Sequence, residues 1–266
     1  MAIRSADVGG VRVAYHHAGN GPAVVLLHGF VGDAVATWRH QLDALAAEFT
    51  VIAWDCPGAG ESDDPPESFT IADFADRAAS LLGQLGVDRA HIMGLSFGGT
   101  IALALAGRHP ELPLSLSLIG AYAGWSGSFP AEVVAQRLAV CIDASTTGPA
   151  RFRDAMVPTM FSESVDPTRR VAFAEAVAAF HPAGFRTMAR ALADADLRAD
   201  LASVSVPTLL LYGDADTRAP LEVAEQLHGS IRTSRLVTLP GVGHVATVEA
   251  PEACTAELLA FLQEQG

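Results

Sequence analysis

The sequence predicts an α/β fold in which helices flank a mostly parallel sheet and a helical lid is inserted between two parts of the core. Strand and helix patterns alternate over the first 122 residues, as expected for parallel strands connected by helices. From 123 to 201 the patterns are helical, Ala-rich and cut by prolines, and strand patterns return afterwards. We therefore divide the chain into a first core part at 1–122, a lid at 123–201 and a second core part at 202–266.

The elements of the first core part can be placed in order. Residues 11–15 alternate like an exposed strand, whereas 23–27 and 51–54 are continuous apolar runs typical of buried parallel strands. Thr70 is a suitable N-cap for a helix with apolar residues at helical spacing, and Gly86 is suited to end that helix. Other patterns predict a helix at 38–48, a strand at 90–94, a helix at 97–108 and a strand at 114–119.

The second core part contains two predicted strands, at 207–212 and 236–239, and a last helix at 251–262. Both strands are short apolar runs bounded by turn residues, which indicates buried positions in the same sheet. The loops after these strands, and after 23–27 and 90–94, then meet at one edge of the sheet. Residues in those loops are the candidates for a functional site.

Composition restricts the kind of partner. The 266 residues are 50% hydrophobic and 18% charged, with a net charge of −13, and all 17 basic residues are arginines. Such a negative chain disfavours nucleic acid and anionic membranes, so we expect a small-molecule substrate. Cys56, Cys141 and Cys254 are odd in number and far apart, which predicts reduced, buried thiols. With no apolar signal at the N-terminus and no apolar run long enough to span a membrane, we expect a cytoplasmic protein.

The strongest motif is Gly94-Leu95-Ser96-Phe97-Gly98, which follows a predicted strand and opens a predicted helix. It matches the nucleophile elbow G-x-S-x-G, in which a tight turn holds a serine hydroxyl above the sheet. Glycines are needed there because side chains would collide within the turn. The same turn aims the Phe97 backbone N–H at the point of reaction. Ser96 is therefore the predicted nucleophile.

A serine hydroxyl needs a base, and the base needs a group that orients it. His244 follows a predicted strand and is the candidate base, while Asp214 and Asp216 are both candidates for the orienting acid. The other histidines have simpler positions, and His28 is expected to brace its own loop. Four of them are expected at the surface or at helix ends: His40, His91, His109 and His228.

A loop directly after the strand at 23–27 supplies the remaining part of the predicted site. It reads His28-Gly29-Phe30-Val31-Gly32, and its turn can place the Phe30 backbone N–H opposite that of Phe97. Two such donors would form an oxyanion hole, in which each donor typically contributes ~3–4 kcal/mol to the stabilisation of a tetrahedral intermediate.

Together these motifs resemble the α/β-hydrolase superfamily over nearly the whole chain. Residues 55–62 are similar to its D-x-P-G-x-G-x-S loop, 213–220 to its G-x-x-D-x-x-x-P motif and 243–251 to its G-H…E-x-P ending. The resemblance implies the α/β-hydrolase fold, with a triad in the order Ser96, Asp216, His244. Because the second acid of that motif is the catalytic one in the family, it favours Asp216 over Asp214. Residues 94–96 and 191–198 look most like the 3-oxoadipate enol-lactonase-like branch.

The resulting functional prediction is a cofactor-independent serine hydrolase with no metal site, which cleaves a small carboxylic ester or lactone through an acyl-enzyme on Ser96. Trp125, Phe129 and Phe161 are the candidate pocket walls. The lid arginines at 137, 151 and 153 could meet a carboxylate but are expected to be solvated, which favours an apolar or weakly polar substrate. Two alternatives stay open, namely hydrolysis of a carbon–carbon bond in a ring-cleavage product and a ligand-binding receptor on the same scaffold.

Overall fold

The chain folds around one eight-stranded sheet, seen in a computed structural model that describes residues 3–265. The strand order is β1-β2-β4-β3-β5-β6-β7-β8; β1 and β2 pair antiparallel with their neighbours and the other pairs are parallel. The strands are β1 Ile3–Asp7, β2 Arg12–Ala18, β3 Ala23–Leu27, β4 Thr50–Trp54, β5 Ala90–Leu95, β6 Pro113–Ile119, β7 Thr208–Gly213 and β8 Ser234–Leu239. The predicted mostly parallel sheet is thereby confirmed.

The parallel centre of the sheet is buried because helices flank it. β5 and β7 are buried at every position, and β3 and β4 at all but the first, as continuous apolar runs require. The helices are α1 Ala34–Leu45, α2 Ile71–Gln84, α3 Phe97–Arg108, α4 Ala131–Thr146, α5 Pro149–Met156, α6 Pro167–Ala178, α7 Pro182–Asp194, α8 Arg198–Leu201, α9 Leu221–Ser230, α10 Ala246–Glu249 and α11 Pro251–Gln263.

Residues 123–201 lie between β6 and β7 in the chain and contain α4 to α8 together with a 3-10 turn at Val157–Thr159. We call them the inserted block. Its prolines mark helix starts rather than interruptions, since Pro149, Pro167 and Pro182 each occupy the first turn of a helix, where a missing N–H costs nothing. The block contains no strand in the structure, and its division from the core at residues 122 and 201 stays a prediction.

The sequence signals at the ends of α2 are confirmed. Thr70 and Asp73 form a capping box: the Asp73 carboxylate accepts the Thr70 N–H at 2.8 Å, and the Thr70 hydroxyl accepts the Asp73 N–H at 3.4 Å. Gly86 has a φ of +70° just beyond the helix, a conformation that ends helices and that glycine adopts without strain.

Two local predictions are wrong. The strand predicted as exposed at 11–15 overlaps β2, where Val13, Ala14 and Tyr15 are buried, because β2 lies inside the sheet between β1 and β4 and α1 packs against it. His91, expected at the surface or at a helix end, is buried within β5. Both errors arise because burial depends on partners distant in sequence. Between residues 3 and 265, no helix combines the length and apolar character that crossing a membrane requires.

Candidate active site

Ser96 lies in the turn between β5 and α3. Its φ of 54° makes it the one residue other than glycine with positive φ in the described part of the chain. A Cβ on Gly98 would overlap the Leu27 carbonyl oxygen, and one on Gly94 would overlap the Gly98 carbonyl group. The turn therefore requires both glycines. A non-glycine residue in such a conformation stores about 1–3 kcal/mol of strain and is found mostly at functional sites.

The loops after β7 and β8 bring Asp216 and His244 together. His244 Nδ1 lies 2.7 Å from Asp216 Oδ2, and both side chains are almost completely buried. Asp216 Oδ1 accepts the backbone N–H groups of Arg218 at 2.8 Å and Ala219 at 2.9 Å. Because the carboxylate can only accept from Nδ1–H, His244 Nε2 is the nitrogen left to receive a proton.

Gly120, which follows β6, provides the space that this pair occupies. A Cβ there would lie 3.1 Å from His244 Nδ1 and 3.3 Å from Asp216 Oδ2, and the residue has a φ of +51°. The Gly120 N–H donates to the Leu211 carbonyl at 3.1 Å, which fixes the chain between β5 and β7. We did not identify this residue from the sequence, although a glycine directly after a buried strand is a usable signal.

Two polar atoms of the site are buried and have no hydrogen-bond partner among the described residues: Ser96 Oγ and His244 Nε2. Buried polar atoms are paired in the great majority of cases, so each exception needs an explanation. A nucleophile and a base that pair with substrate only during the reaction supply one, because catalytic hydrogen bonds are often incomplete before substrate binds.

The two predicted oxyanion donors are also without acceptors. Neither the Phe30 nor the Phe97 backbone N–H donates to another residue within 3–265; Phe97 opens α3, and first-turn N–H groups of a helix have no intrahelical acceptor. Gly29 brings the loop after β3 close to the serine, since a Cβ on it would lie 3.8 Å from Ser96 Cβ. The Phe97 ring packs edge-on to Phe74 at 5.2 Å.

His28 braces the loop that carries Phe30. Its Nδ1 donates to the Gly29 carbonyl at 2.5 Å, and its Nε2 accepts the Cys56 N–H at 2.8 Å. Complete burial lowers the pKa of His28, so the ring is neutral, with both nitrogens engaged. It is therefore not available as a base.

The inserted block contacts the base loop directly. The Met160 carbonyl accepts the His244 N–H at 2.9 Å and the Val245 N–H at 3.1 Å. The buried Glu249 carboxylate accepts the Gly243 N–H at 3.0 Å, the Ser162 N–H at 3.2 Å and the Ser162 hydroxyl. Glu249 lies in the segment similar to the G-H…E-x-P ending, but its sequence position alone does not predict these bonds.

A cavity of about 280 Å³ lies between the inserted block and the Asp216 loop. Of the predicted wall residues, Trp125 lines it and contacts the Phe30 ring edge-on at 6.0 Å. Phe129 instead lines a second cavity, while Phe161 packs against Phe173 at 5.5 Å. Tyr122, which we did not predict, has its ring 6.2 Å from that of His244, and burial raises its pKa to about 12.

The profile of the family described as "alpha/beta hydrolase fold" matches residues 22–251. The chain belongs to the α/β-hydrolase family. Its relatives include RutD from Caulobacter sp. (strain K31), which bears the provisional name carbamate hydrolase and is 32% identical over 264 residues, 93% of this chain and 95% of that protein. The chain is therefore a hydrolase, as the sequence predicts.

Solved structures of hydrolases share the whole architecture. A thermophilic esterase from Thermogutta terrifontis has a TM-score of 0.90 at 28% identity, over 100% of this chain and 99% of its own. The enol-lactonase from Burkholderia xenovorans LB400 has a TM-score of 0.90 at 27% identity, over 98% of this chain and 100% of its own. The resemblance to enol-lactonases and carboxylesterases inferred from the sequence is thus confirmed.

Proposed function

We propose that this α/β hydrolase cleaves a small carboxylic ester or lactone through an acyl-enzyme on Ser96. The observation that carries the proposal is the buried Asp216–His244 contact at 2.7 Å, together with the unpartnered His244 Nε2 and Ser96 Oγ. This arrangement leaves one base nitrogen and one hydroxyl without a hydrogen-bond partner among the described residues. Acyl transfer uses those groups in those roles.

In the proposed reaction, Ser96 Oγ attacks the substrate carbonyl carbon while His244 Nε2 takes the serine proton. The carbonyl oxygen becomes an oxyanion that accepts the Phe30 and Phe97 N–H groups. Collapse breaks the ester C–O bond, and His244 returns the proton to the leaving oxygen. Water, deprotonated by His244, then attacks the acyl carbon, releases the carboxylic acid and restores Ser96. With a lactone the leaving oxygen stays attached to the acyl chain.

The named activities of the relatives support this substrate class. An esterase and an enol-lactonase share the fold over their whole lengths, and the name of RutD makes carbamates a second candidate, since their carbonyl carbon can undergo the same attack. The three buried free thiols support the further prediction of a reducing compartment such as the cytoplasm.

Labelling with a small fluorophosphonate tests the proposal. Intact mass should rise by one adduct in the parent and in Ser203→Ala, which removes an exposed hydroxyl, but not in Ser96→Ala. The same proteins are then assayed for steady multiple turnover on a panel of esters, lactones and carbamates. An adduct or retained hydrolysis in Ser96→Ala would overturn the mechanism, and an adduct without turnover would favour the receptor alternative.

A further inference from the structure

Two arginines from different parts of the chain line the 280 Å³ cavity. Arg137 belongs to α4 of the inserted block, and Arg218 lies two residues after Asp216. The Arg137 Nη2 donates to the Arg218 carbonyl at 3.0 Å, and the Arg218 Nη1 donates to the Thr159 hydroxyl at 2.7 Å. Both side chains are half-buried. The two positive charges are therefore held beside one small space.

Within residues 3–265, neither guanidinium has a carboxylate partner. Among residues 3–265 the salt bridges join other arginines and histidines to acids, and the Arg218 Nε is buried without any hydrogen-bond partner. Asp216 is the acid nearest to Arg218 in sequence, but its carboxylate oxygens already accept hydrogen bonds from His244 and from two backbone N–H groups. A buried donor without an acceptor is costly unless something else supplies one.

Aromatic rings lie beside both guanidiniums. The Arg137 Cζ lies 4.0 Å from the centroid of Phe129 and 5.7 Å from that of Trp125, and the Arg218 Cζ lies 5.6 Å from the centroid of Phe30. A guanidinium held beside an aromatic ring keeps its planar fork of N–H donors, which suits the two oxygens of a carboxylate. The unused N–H groups are therefore restrained in orientation.

Two residues of the cavity wall contact the ring of Phe30, the residue that carries a proposed oxyanion donor. Arg218 and Trp125 line the cavity and both contact the Phe30 ring, and the Phe30 backbone N–H is the proposed oxyanion donor. A substrate with its reacting carbonyl at Ser96 and its far end in the cavity would pass these contacts.

The charges of both arginines reach the cavity wall. Burial raises the pKa of the Cys141 thiol to about 11, and the positive charges of Arg218 and Arg137 partly offset that increase. Both charges therefore influence the same residue of the cavity lining.

We infer that Arg137 and Arg218 form an anion subsite, and that the substrate is an ester or lactone carrying a carboxylate away from the scissile bond. The inference rests on the proposed function and narrows its substrate class. It also revises the sequence-based expectation that Arg137 is solvated and that the substrate is apolar. Arg151 and Arg153 do not share the site, since Arg151 is exposed and Arg153 pairs with Asp154 at 2.8 Å.

The test compares matched substrates. On the acyl side these are 4-nitrophenyl hexanoate and mono-4-nitrophenyl adipate; on the alcohol side they are phenyl acetate and 4-acetoxybenzoate. In the parent, kcat/KM should favour the carboxylate member of at least one pair. Arg137→Gln and Arg218→Gln should each lower that preference about tenfold, the order expected when a hydrogen bond to a charged group is lost.

Two variants act as controls. Arg137→Lys keeps the charge and should restore part of the preference, whereas Arg151→Gln on the same block should leave it unchanged. If the glutamine variants lower both members of a pair equally, the guanidiniums only fasten the block to the core, and the inference is wrong. The inference is also wrong if the parent shows no preference in either pair.

A second measurement separates this outcome from failure of the proposed function. Adipate should slow fluorophosphonate labelling of Ser96 in the parent, and much less in Arg137→Gln; hexanoate should protect less than adipate. This readout requires only the reactive serine and no turnover. If Ser96 reacts but adipate gives no protection that depends on the arginines, the subsite is refuted while the serine mechanism stands. If Ser96 does not react in folded protein, the proposed function itself fails.

Discussion

Two aspartates separated by one residue occupy different environments. Asp216 is buried and its two oxygens accept from His244 and from two backbone N–H groups. Asp214 is exposed and accepts the Gly241 N–H at 2.5 Å. The first is therefore placed to orient a base, whereas the second is placed to hold the turn that precedes the base loop.

Replacing each aspartate separately distinguishes these roles. Asp216→Asn should lower kcat by roughly 10⁴, the order seen when the orienting acid of a triad becomes an amide, because the amide favours the wrong imidazole tautomer. Asp214→Asn keeps an oxygen that can accept from Gly241 and should retain most activity. Steady-state kinetics on a neutral ester measures both. Equal losses in the two variants would contradict the assignment of Asp216.

The three thiols allow a test of burial. Burial raises the pKa of Cys141 to about 11, of Cys254 to about 12 and of Cys56 well above the ordinary value. The thiolate is the reactive form, so native protein at pH 8 should resist iodoacetamide. Intact mass should show no adduct on native protein and three after denaturation in guanidinium. Rapid alkylation of the folded chain would contradict the packing around these residues.

At the scale of elements, the base loop depends on the inserted block for its position. The Met160 carbonyl holds the His244 and Val245 N–H groups, and Glu249 accepts from Gly243 and from Ser162. The position of the His244 backbone therefore depends partly on hydrogen bonds with the inserted block. A shift of residues 160–162 would move His244 with it.

Glu249→Gln should lower both stability and activity. The amide replaces one acceptor oxygen with a donor that faces other donors, and an unsatisfied buried group costs about 1–3 kcal/mol. Thermal unfolding should therefore begin at lower temperature, and kcat should fall more than KM rises, because the defect displaces the base. If Glu249→Gln does not fold, Ser162→Ala removes the hydroxyl on the other side of the same contact and should give a smaller change of the same kind.

Glu252→Gln is the matched control for that variant. Glu252 lies on α11 and pairs at the surface with Arg169 at 3.0 Å, and exposed ion pairs contribute little to stability. Its substitution should leave kcat and the unfolding temperature nearly unchanged. If the two glutamine variants behaved alike, the bridge through Glu249 would have no special role.

At the scale of the whole molecule, features determined by local sequence were predictable and features that depend on distant partners were not. The turn at Ser96 and the bounds of α3 follow from a short motif, because the glycines and the helix start lie within a few residues. The burial of β2 and of His91 depends on neighbouring strands. Arg137 resembles a solvated helix arginine until α4 is placed against the Asp216 loop, which only the folded chain does.

Buried histidines determine how stability changes in mild acid. Burial lowers the pKa of His28 and of His91, so below the ordinary value of 6.5 the unfolded chain binds protons that the folded chain does not. The free energy of unfolding should therefore fall as pH drops through 6.5, with a limiting slope of about 2.7 kcal/mol per pH unit for two such groups. The pKa of Asp76 is lowered mainly by its hydrogen bond with Arg108. Protonation of Asp76 therefore reduces the free energy of unfolding only nearer pH 4.

Urea unfolding between pH 5.0 and 7.5 measures this slope. His91→Gln keeps a polar partner for the Ser115 hydroxyl, which lies 2.8 Å from His91 Nδ1, and should reduce the slope by about half because one of the two groups is gone. The control is His40→Gln, since His40 is exposed and its loss should leave the slope as in the parent. A parent whose stability is constant down to pH 5 would contradict the burial of both rings in neutral form.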